Sequence, residues 1–195
     1  MDQTRDEDQF ENQEITKTPS EVGGHAEELV DHYWGSINYV FSLIKASEIK
    51  AGLILSFYGI LFNFIYQNIA LVISMGPEHY FLYVLLAIWI GATTTSIYFS
   101  IRCFMPRVEG KFEKNVFFFG DVITKFGTIK EFSKTFYRIS LNEVELFDQL
   151  GQQIYVNSKI ASEKFKYVNR SIRLLAVGLF LLFILVVSSA IISLM

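Results

Sequence analysis

Apolar residues are distributed along the chain in two patterns. Residues 51–77, 79–101 and 174–195 contain no Asp, Glu, Lys or Arg, giving uncharged runs of 27, 23 and 22 residues. About 20 apolar residues are enough for a helix to cross the hydrocarbon core of a bilayer, so spanning helices are predicted over 51–74, 80–104 and 174–194. Elsewhere the apolar positions recur in steps of three and four. Ala26, Val30, Tyr33, Ile37, Val40 and Ile44 fall on one face of a helix that continues through Ser47 into Ala51. Residues 25–50 therefore read as a cytoplasmic amphipathic helix leading into the first span, with Gly35 as the place where it could be interrupted.

A second cytoplasmic helical region is expected over 105–173. It opens at Met105-Pro106-Arg107, where the proline stops the second span from continuing unbroken. Phe112, Val116, Phe119, Ile123 and Phe126 step four, three, four, three and predict a helix that stops at Gly127. Thr128-Ile129-Lys130-Glu131 reads as a capping box that starts a short helix to about Arg138, and Ser140-Leu141-Asn142-Glu143 as a second capping box. Behind it Val144, Phe147, Gly151, Ile154, Ser158, Ala161, Phe165, Val168, Ile172 and Leu175 keep a three-four alternation. The same helix can run into the last span, making 141–194 a rod of roughly 80 Å at 1.5 Å per residue. Its small central positions, Gly151, Ser158 and Ala161, suit close packing of another helix or leave room for a ligand. The fold class is an all-α membrane protein with three transmembrane helices, a cytoplasmic amphipathic helical region and a long helix entering the last span.

The spans carry polar residues of their own. Gly52, Ser56, Gly59, Asn63, Gln67, Ala70 and Ser74 form one small and polar face of the first span. In lipid such a face lets backbones approach and lets Asn63 or Gln67 hydrogen-bond across the contact. Two readings compete: packing within one three-helix bundle, or oligomerisation around a polar-lined path, which needs several copies. The second span adds Gly91 and Thr93-Thr94-Thr95-Ser96, the third Ser188-Ser189.

Charge adds an orientation. With the N-terminus cytoplasmic, all 17 Lys and Arg fall inside, the pattern that membrane insertion favours. The outer side then receives only the turn around Met75-Gly76-Pro77-Glu78-His79 and the end of the third span. Residues 1–36 hold ten acids against Arg5 and Lys17, a net −8, leaving +5 for the remainder of a chain whose total is −3. Residues 1–24 lack an apolar stripe and read as a disordered acidic tail, and the first span follows it too late for a cleavable signal. The acidic balance leaves no nucleic-acid footprint.

Candidate chemistry is sparse. One Cys among 195 residues excludes an intramolecular disulfide, and no metal-ligand cluster or glycine-rich phosphate loop is present. His25, His32 and His79 do not converge with an acid or a nucleophile, so no catalytic residue, metal or cofactor is expected. Cys103 reads as a small membrane-edge residue, with palmitoylation as the alternative. Arg102, Arg107, Lys111 and Lys114 cluster beneath the second span, where lipid headgroups or an anionic ligand would both suit them.

Several short segments carry a resemblance. Ala46-Ser47-Glu48-Ile49-Lys50-Ala51-Gly52 at the start of the first span, Pro106-Arg107 after the second, Asn115-Val116-Phe117-Phe118-Phe119-Gly120-Asp121 beyond it, and Gln153-Ile154 through Asn157-Ser158-Lys159-Ile160 to Lys164 resemble the transmembrane effectors of the Pycsar antiphage system. The resemblance covers about residues 37–195. Glu48 departs from the Asp expected there, keeping the charge on a longer side chain. The resemblance implies a bacterial inner-membrane protein paired with a pyrimidine nucleotide cyclase, whose cyclic CMP or cyclic UMP triggers loss of membrane integrity and aborts infection. Arg107 and the family-like positions Lys50, Asn115 and Lys164 are the ligand candidates, because arginine can grip phosphate oxygens and asparagine offers a base both a donor and an acceptor. Glu48, Pro106, Phe118, Asp121 and Asn157 complete the family-like pattern. Lipids, the cyclase-derived nucleotide and further copies of the chain are the expected partners. A membrane-anchored scaffold without permeability activity is the alternative, and an interfacial enzyme a distant third.

Overall fold

A computed structural model describes residues 19–67, 80–105 and 114–194, with side chains from Ala26 to Ile191 within those segments. Most of the acidic tail, Ala70, Ser74, the turn containing His79, Pro106, Arg107, Lys111 and Phe112 lie outside the described residues, as does the side chain of His25. Five helices follow in order: α1 (Pro19–Gln67), α2 (Tyr80–Phe104), α3 (Phe119–Thr124), α4 (Ile129–Ser140) and α5 (Glu143–Leu194). No strand occurs among the described residues. Helices α1, α2 and α5 are each long and apolar enough to cross a membrane. Helix α1 begins at Pro19, inside the segment expected to be tail.

Two compact units can be distinguished. The first contains α1 as far as Tyr39, α3, α4 and α5 as far as Val156. The second contains α1 from Val40, α2 and α5 from Asn157. The stripe predicted on α1 is the inward face of the helix: Ile37, Val40, Ser47 and Ala51 are buried, and Ala26, Val30, Tyr33 and Ile44 are half-buried. Gly35 does not interrupt α1. A glycine inside a helix costs about 1 kcal/mol, and the packed residues on either side, Tyr33 and Ile37, carry the helix through it.

In the first unit Val116, Phe126 and Ile139 form the buried centre, with Phe117 and Phe132 packed against it. Each such side chain contributes roughly 1.5–3 kcal/mol by leaving water. An aromatic series, Trp34 to Phe117 to Phe136 to Phe132 to Phe126, runs through this unit with neighbouring ring centroids 5.4–5.8 Å apart. The single helix predicted over 112–126 is corrected to α3 alone. The Asn115 side chain accepts the Phe117 N–H at 2.8 Å, offering the backbone a turn in place of a helical bond, and Phe118 is extended at the start of α3. Phe119 and Ile123, placed on the apolar face by periodicity, are exposed. The stop at Gly127 holds, with φ of 67°, a backbone state that favours glycine.

The Thr128–Glu131 capping box forms with both of its hydrogen bonds. The second box is corrected by two residues. Asn142 caps α5 by accepting the Glu145 N–H at 3.3 Å, while the Ser140 hydroxyl turns back to the Phe136 carbonyl at 2.8 Å. Helix α5 is one unbroken element, and its buried stripe is more polar than the predicted three-four alternation: Leu150, Gln153, Asn157, Ala161, Lys164, Val168 and Ser171. Val144, Ser158 and Ile172 on the expected seam are exposed.

In the second unit the buried face of α2 is Leu82, Leu85, Trp89, Thr93, Ser96, Ser100 and Cys103, again in steps of three and four. Ala51, Ile54, Tyr58, Cys103 and Val168 make the centre of this unit. The small-polar face of α1 is not part of it. Gly52 is half-buried, but Ser56, Gly59, Asn63 and Gln67 are exposed. Intrasubunit packing of that face is therefore corrected: α1 packs through Ala51, Ile54 and Tyr58, whose larger apolar surface fills the space between helices.

Candidate functional site

The second unit contains an ion pair deep in its interior. Lys164 lies on the buried stripe of α5 and is 3% exposed. Its Nζ donates to Glu48 Oε1 at 2.6 Å and to the Cys103 carbonyl at 2.9 Å. The Glu48 side chain is 39% exposed, so one end of the pair reaches water and the other does not. The Cys103 thiol, fully buried, points at the Ser47 and Lys164 carbonyls, each at 3.7 Å. Ser47 returns its own hydroxyl to the Leu43 carbonyl at 3.1 Å. Small residues at Ser47 and Cys103 let the α1 and α5 backbones approach the Cys103 thiol.

A knot of serine hydroxyls lies further along the same two helices. Ser96 donates to the Ser171 carbonyl at 2.9 Å and Ser171 donates to the Ser96 carbonyl at 2.8 Å. With its proton so used, Ser171 Oγ accepts from Ser100 at 2.7 Å. Thr93, one turn on, is 2% exposed with its hydroxyl unpaired among the described residues. Thr93, Ser96, Ser100, Ser171 and the Lys164–Glu48 pair thus form a buried polar column. Spacing alone did not find it, because hydroxyls at three-four spacing on α2 are indistinguishable from ordinary small packing residues.

The first unit holds the other family-like residues. Asn115 is 5% exposed and Asp121 also 5%. Asn115 donates its backbone N–H to Asp121 Oδ2 at 3.0 Å and its side-chain amide to the Gln149 carbonyl at 2.7 Å. Gln149 reciprocates, accepting the Val116 N–H at 2.9 Å and donating to the Lys114 carbonyl at 3.3 Å. Asp121 also pairs with Lys125 at 2.9 Å. Two side chains, Asn115 and Gln149, therefore tie residues 114–116 to α5 by three hydrogen bonds, and Asp121 closes the segment on itself. Phe118 supplies the carbonyl that opens α3, accepting from Asp121 and Val122.

Beside this knot is a cavity of about 400 Å³, within the roughly 300–1,000 Å³ range of small-ligand sites. Its apolar lining is Phe126 and Ile139. Lys114, Thr135, Arg138, Glu145, Asp148 and Gln149 make up its polar lining. Lys114 Nζ sits 3.9 Å from the centre of the Phe126 ring, and Arg138 reaches Glu145 at 3.3 Å. No residue type or spacing in the sequence marks this cavity, because its walls come from three separate elements.

The candidates named from the sequence divide between the two units. Lys164 and Asn115 are engaged in buried networks, in different units. Lys50 is exposed, with its amine 5.7 Å from the Phe165 ring centre. Arg107 and Pro106 lie outside the described residues. Asn157 is buried on α5 at 3% exposure. His32 is exposed, and no group of three His, Cys, Asp or Glu among the described residues is placed to hold a metal ion. Of the basic group beneath the second span, Arg102 stacks on Tyr167 at 5.8 Å.

Comparison with known proteins matches the sequence to one family. The Pycsar effector protein PtPycTM of Propioniciclava tarda is 29% identical over 156 residues, 78% of this chain and 76% of that protein. No solved structure matches the chain. The profile of the Pycsar effector protein domain, PycTM, matches residues 32–192, which takes in all three candidate spans, both buried networks and the cavity, and the chain belongs to that family.

Proposed function

We propose that this chain is an antiphage effector of the bacterial inner membrane, with its N-terminus in the cytoplasm, that answers cyclic CMP or cyclic UMP from a partner cyclase by assembling and impairing membrane integrity. Family membership supports the effector role, and the three apolar helices support action at the membrane. The observation that carries assembly is the exposed face of α1. Ser56, Gly59, Asn63 and Gln67 point away from the centre of their own unit, and hydrocarbon cannot satisfy two carboxamides. The same face on another copy can, because each amide both donates and accepts.

Interhelical hydrogen bonds in bilayers average only ~0.6 kcal/mol, so the test removes two per copy. The Asn63→Leu/Gln67→Leu variant should insert normally while losing chemical crosslinks between copies and nucleotide-dependent leakage. Unaltered crosslinking and leakage would overturn assembly through this face. A second reading, an anchored interaction protein without permeability activity, is favoured by Phe119, Ile123 and Ile129, which are 70–90% exposed outside the candidate spans. Absence of ion or dye leakage from wild-type protein in the presence of nucleotide would select it.

A further inference from the structure

We propose that the cavity lined by Lys114 and Phe126, which flank α3, by α4 and by the start of α5 binds the activating nucleotide, with the phosphate held by Lys114 and Arg138 and a donor-bearing base edge turned toward Asp148. The inference rests on the reading that a cyclic pyrimidine nucleotide is the signal, and it assigns that signal a place and a base preference.

Three features of the cavity carry the assignment. Its lining carries both charges. Lys114 and Arg138 offer donors, Arg138 with most of its five N–H groups left after the contact to Glu145. Asp148 keeps one carboxylate oxygen clear of Gln152, which donates to the other at 2.9 Å. A cyclic nucleotide has the matching polarity, a single phosphate charge at one end and a base edge at the other. Phe126 and Ile139 supply the apolar part of the lining, and the Lys114 ammonium lies 3.9 Å from the centre of the Phe126 ring. The Lys114 segment is also held in place. Gln149 grips the Lys114 carbonyl and the Val116 N–H, and Asn115 and Asp121 secure the same segment. Asn115 and Asp121 thereby act as positioning residues, which accounts for their burial without requiring them to touch the ligand.

Asp148 sets a preference between the two pyrimidines. Cytosine presents an exocyclic amino group, a donor that carboxylates accept, whereas uracil presents a carbonyl oxygen at the same position, which a carboxylate repels. Cyclic CMP should therefore bind more tightly than cyclic UMP.

The test is calorimetric titration of the full-length protein with cyclic CMP, cyclic UMP and cyclic AMP, in detergent free of phospholipid so that the nucleotide is the only phosphate ester offered. Lys114→Gln and Arg138→Gln should each weaken cyclic CMP binding by about tenfold or more, the scale of a lost charge-assisted contact. Asp148→Asn should narrow the gap between cyclic CMP and cyclic UMP. Lys114, Arg138 and Asp148 are all exposed, so helix content by circular dichroism should stay unchanged, and Thr135→Trp, which fills the cavity from its rim, should block binding independently. Wild-type binding with unaltered affinity in Lys114→Gln and Thr135→Trp would overturn the site while leaving the nucleotide reading intact. Equal or tighter binding of cyclic UMP would overturn the base assignment. No binding of either pyrimidine nucleotide by wild-type protein would overturn the nucleotide reading itself, and the site with it.

Discussion

Cutting the Lys164–Glu48 pair from either side should have unequal effects. Removal of one member of a buried ion pair costs about 3–5 kcal/mol because the remaining charge is left without compensation. Here the two members differ in access to water, the lysine side chain being 4% exposed and the glutamate 39%. Glu48→Ala strands an ammonium that retains the Cys103 carbonyl at 2.9 Å but cannot hydrate. Solvent at Glu48 already screens the pair, so the loss should fall at the lower end, about 3 kcal/mol. Lys164→Met leaves a carboxylate that can turn to water and replaces the buried amine with an apolar chain of similar length, so about 1 kcal/mol is expected. In the double variant no charge is stranded, and its loss should be smaller than the sum of the single losses by about 2 kcal/mol. Denaturant unfolding of the four proteins in one detergent, followed by circular dichroism, gives all the values. Equal losses for the two single variants, or an additive double variant, would refute the argument that the interior ammonium depends on Glu48.

Other consequences can be checked in the same preparations. Ser171→Ala removes the hydroxyl shared by Ser96 and Ser100 and should destabilise by about 1 kcal/mol, within the range of interhelical bonds in membranes; an unchanged unfolding curve would mean those hydroxyls find other partners. Asn115→Ala leaves the Gln149 carbonyl and the Phe117 N–H short of a partner and should cost about 1–3 kcal/mol, with faster protease cleavage at residues 114–127 as the local readout. The Thr128 backbone N–H, then its hydroxyl, hold the Glu131 carboxyl below the usual carboxylate range. That contribution to α4 is present above the ordinary Glu pKa and is lost as pH falls through the lowered one; Glu131→Gln should flatten this part of the stability profile, and an unaltered profile would assign it to another group.

Much of the architecture was legible because membrane insertion demands long uncharged runs, and the runs at 51–77, 79–101 and 174–195 leave few alternatives. The α1 stripe was equally legible, since one unbroken helix carries it from Ala26 to Ala51. Local side-chain chemistry overrode periodicity in the short segments. Asn115 diverts the chain from the helix that Phe112 to Phe126 predicts, and Asn142 rather than Ser140 takes the cap of α5. The site was harder to see. Glu48 and Lys164 lie 116 positions apart, and nothing in either local pattern announces the other. The direction of the small-polar face of α1 was ambiguous for a physical reason: in lipid, small residues serve packing within a subunit and between subunits alike. Only the burial of Ile54 and Tyr58 shows which face the subunit keeps for itself.

On the proposed function, a cyclic pyrimidine nucleotide converts this chain into a membrane-permeabilising assembly. Dye efflux from liposomes containing the purified full-length protein tests it directly. Addition of cyclic CMP or cyclic UMP should release dye within minutes, cyclic AMP should not, and the Asn63→Leu/Gln67→Leu variant should bind nucleotide yet release little. Intact liposomes in the presence of saturating, demonstrably bound nucleotide would contradict the account.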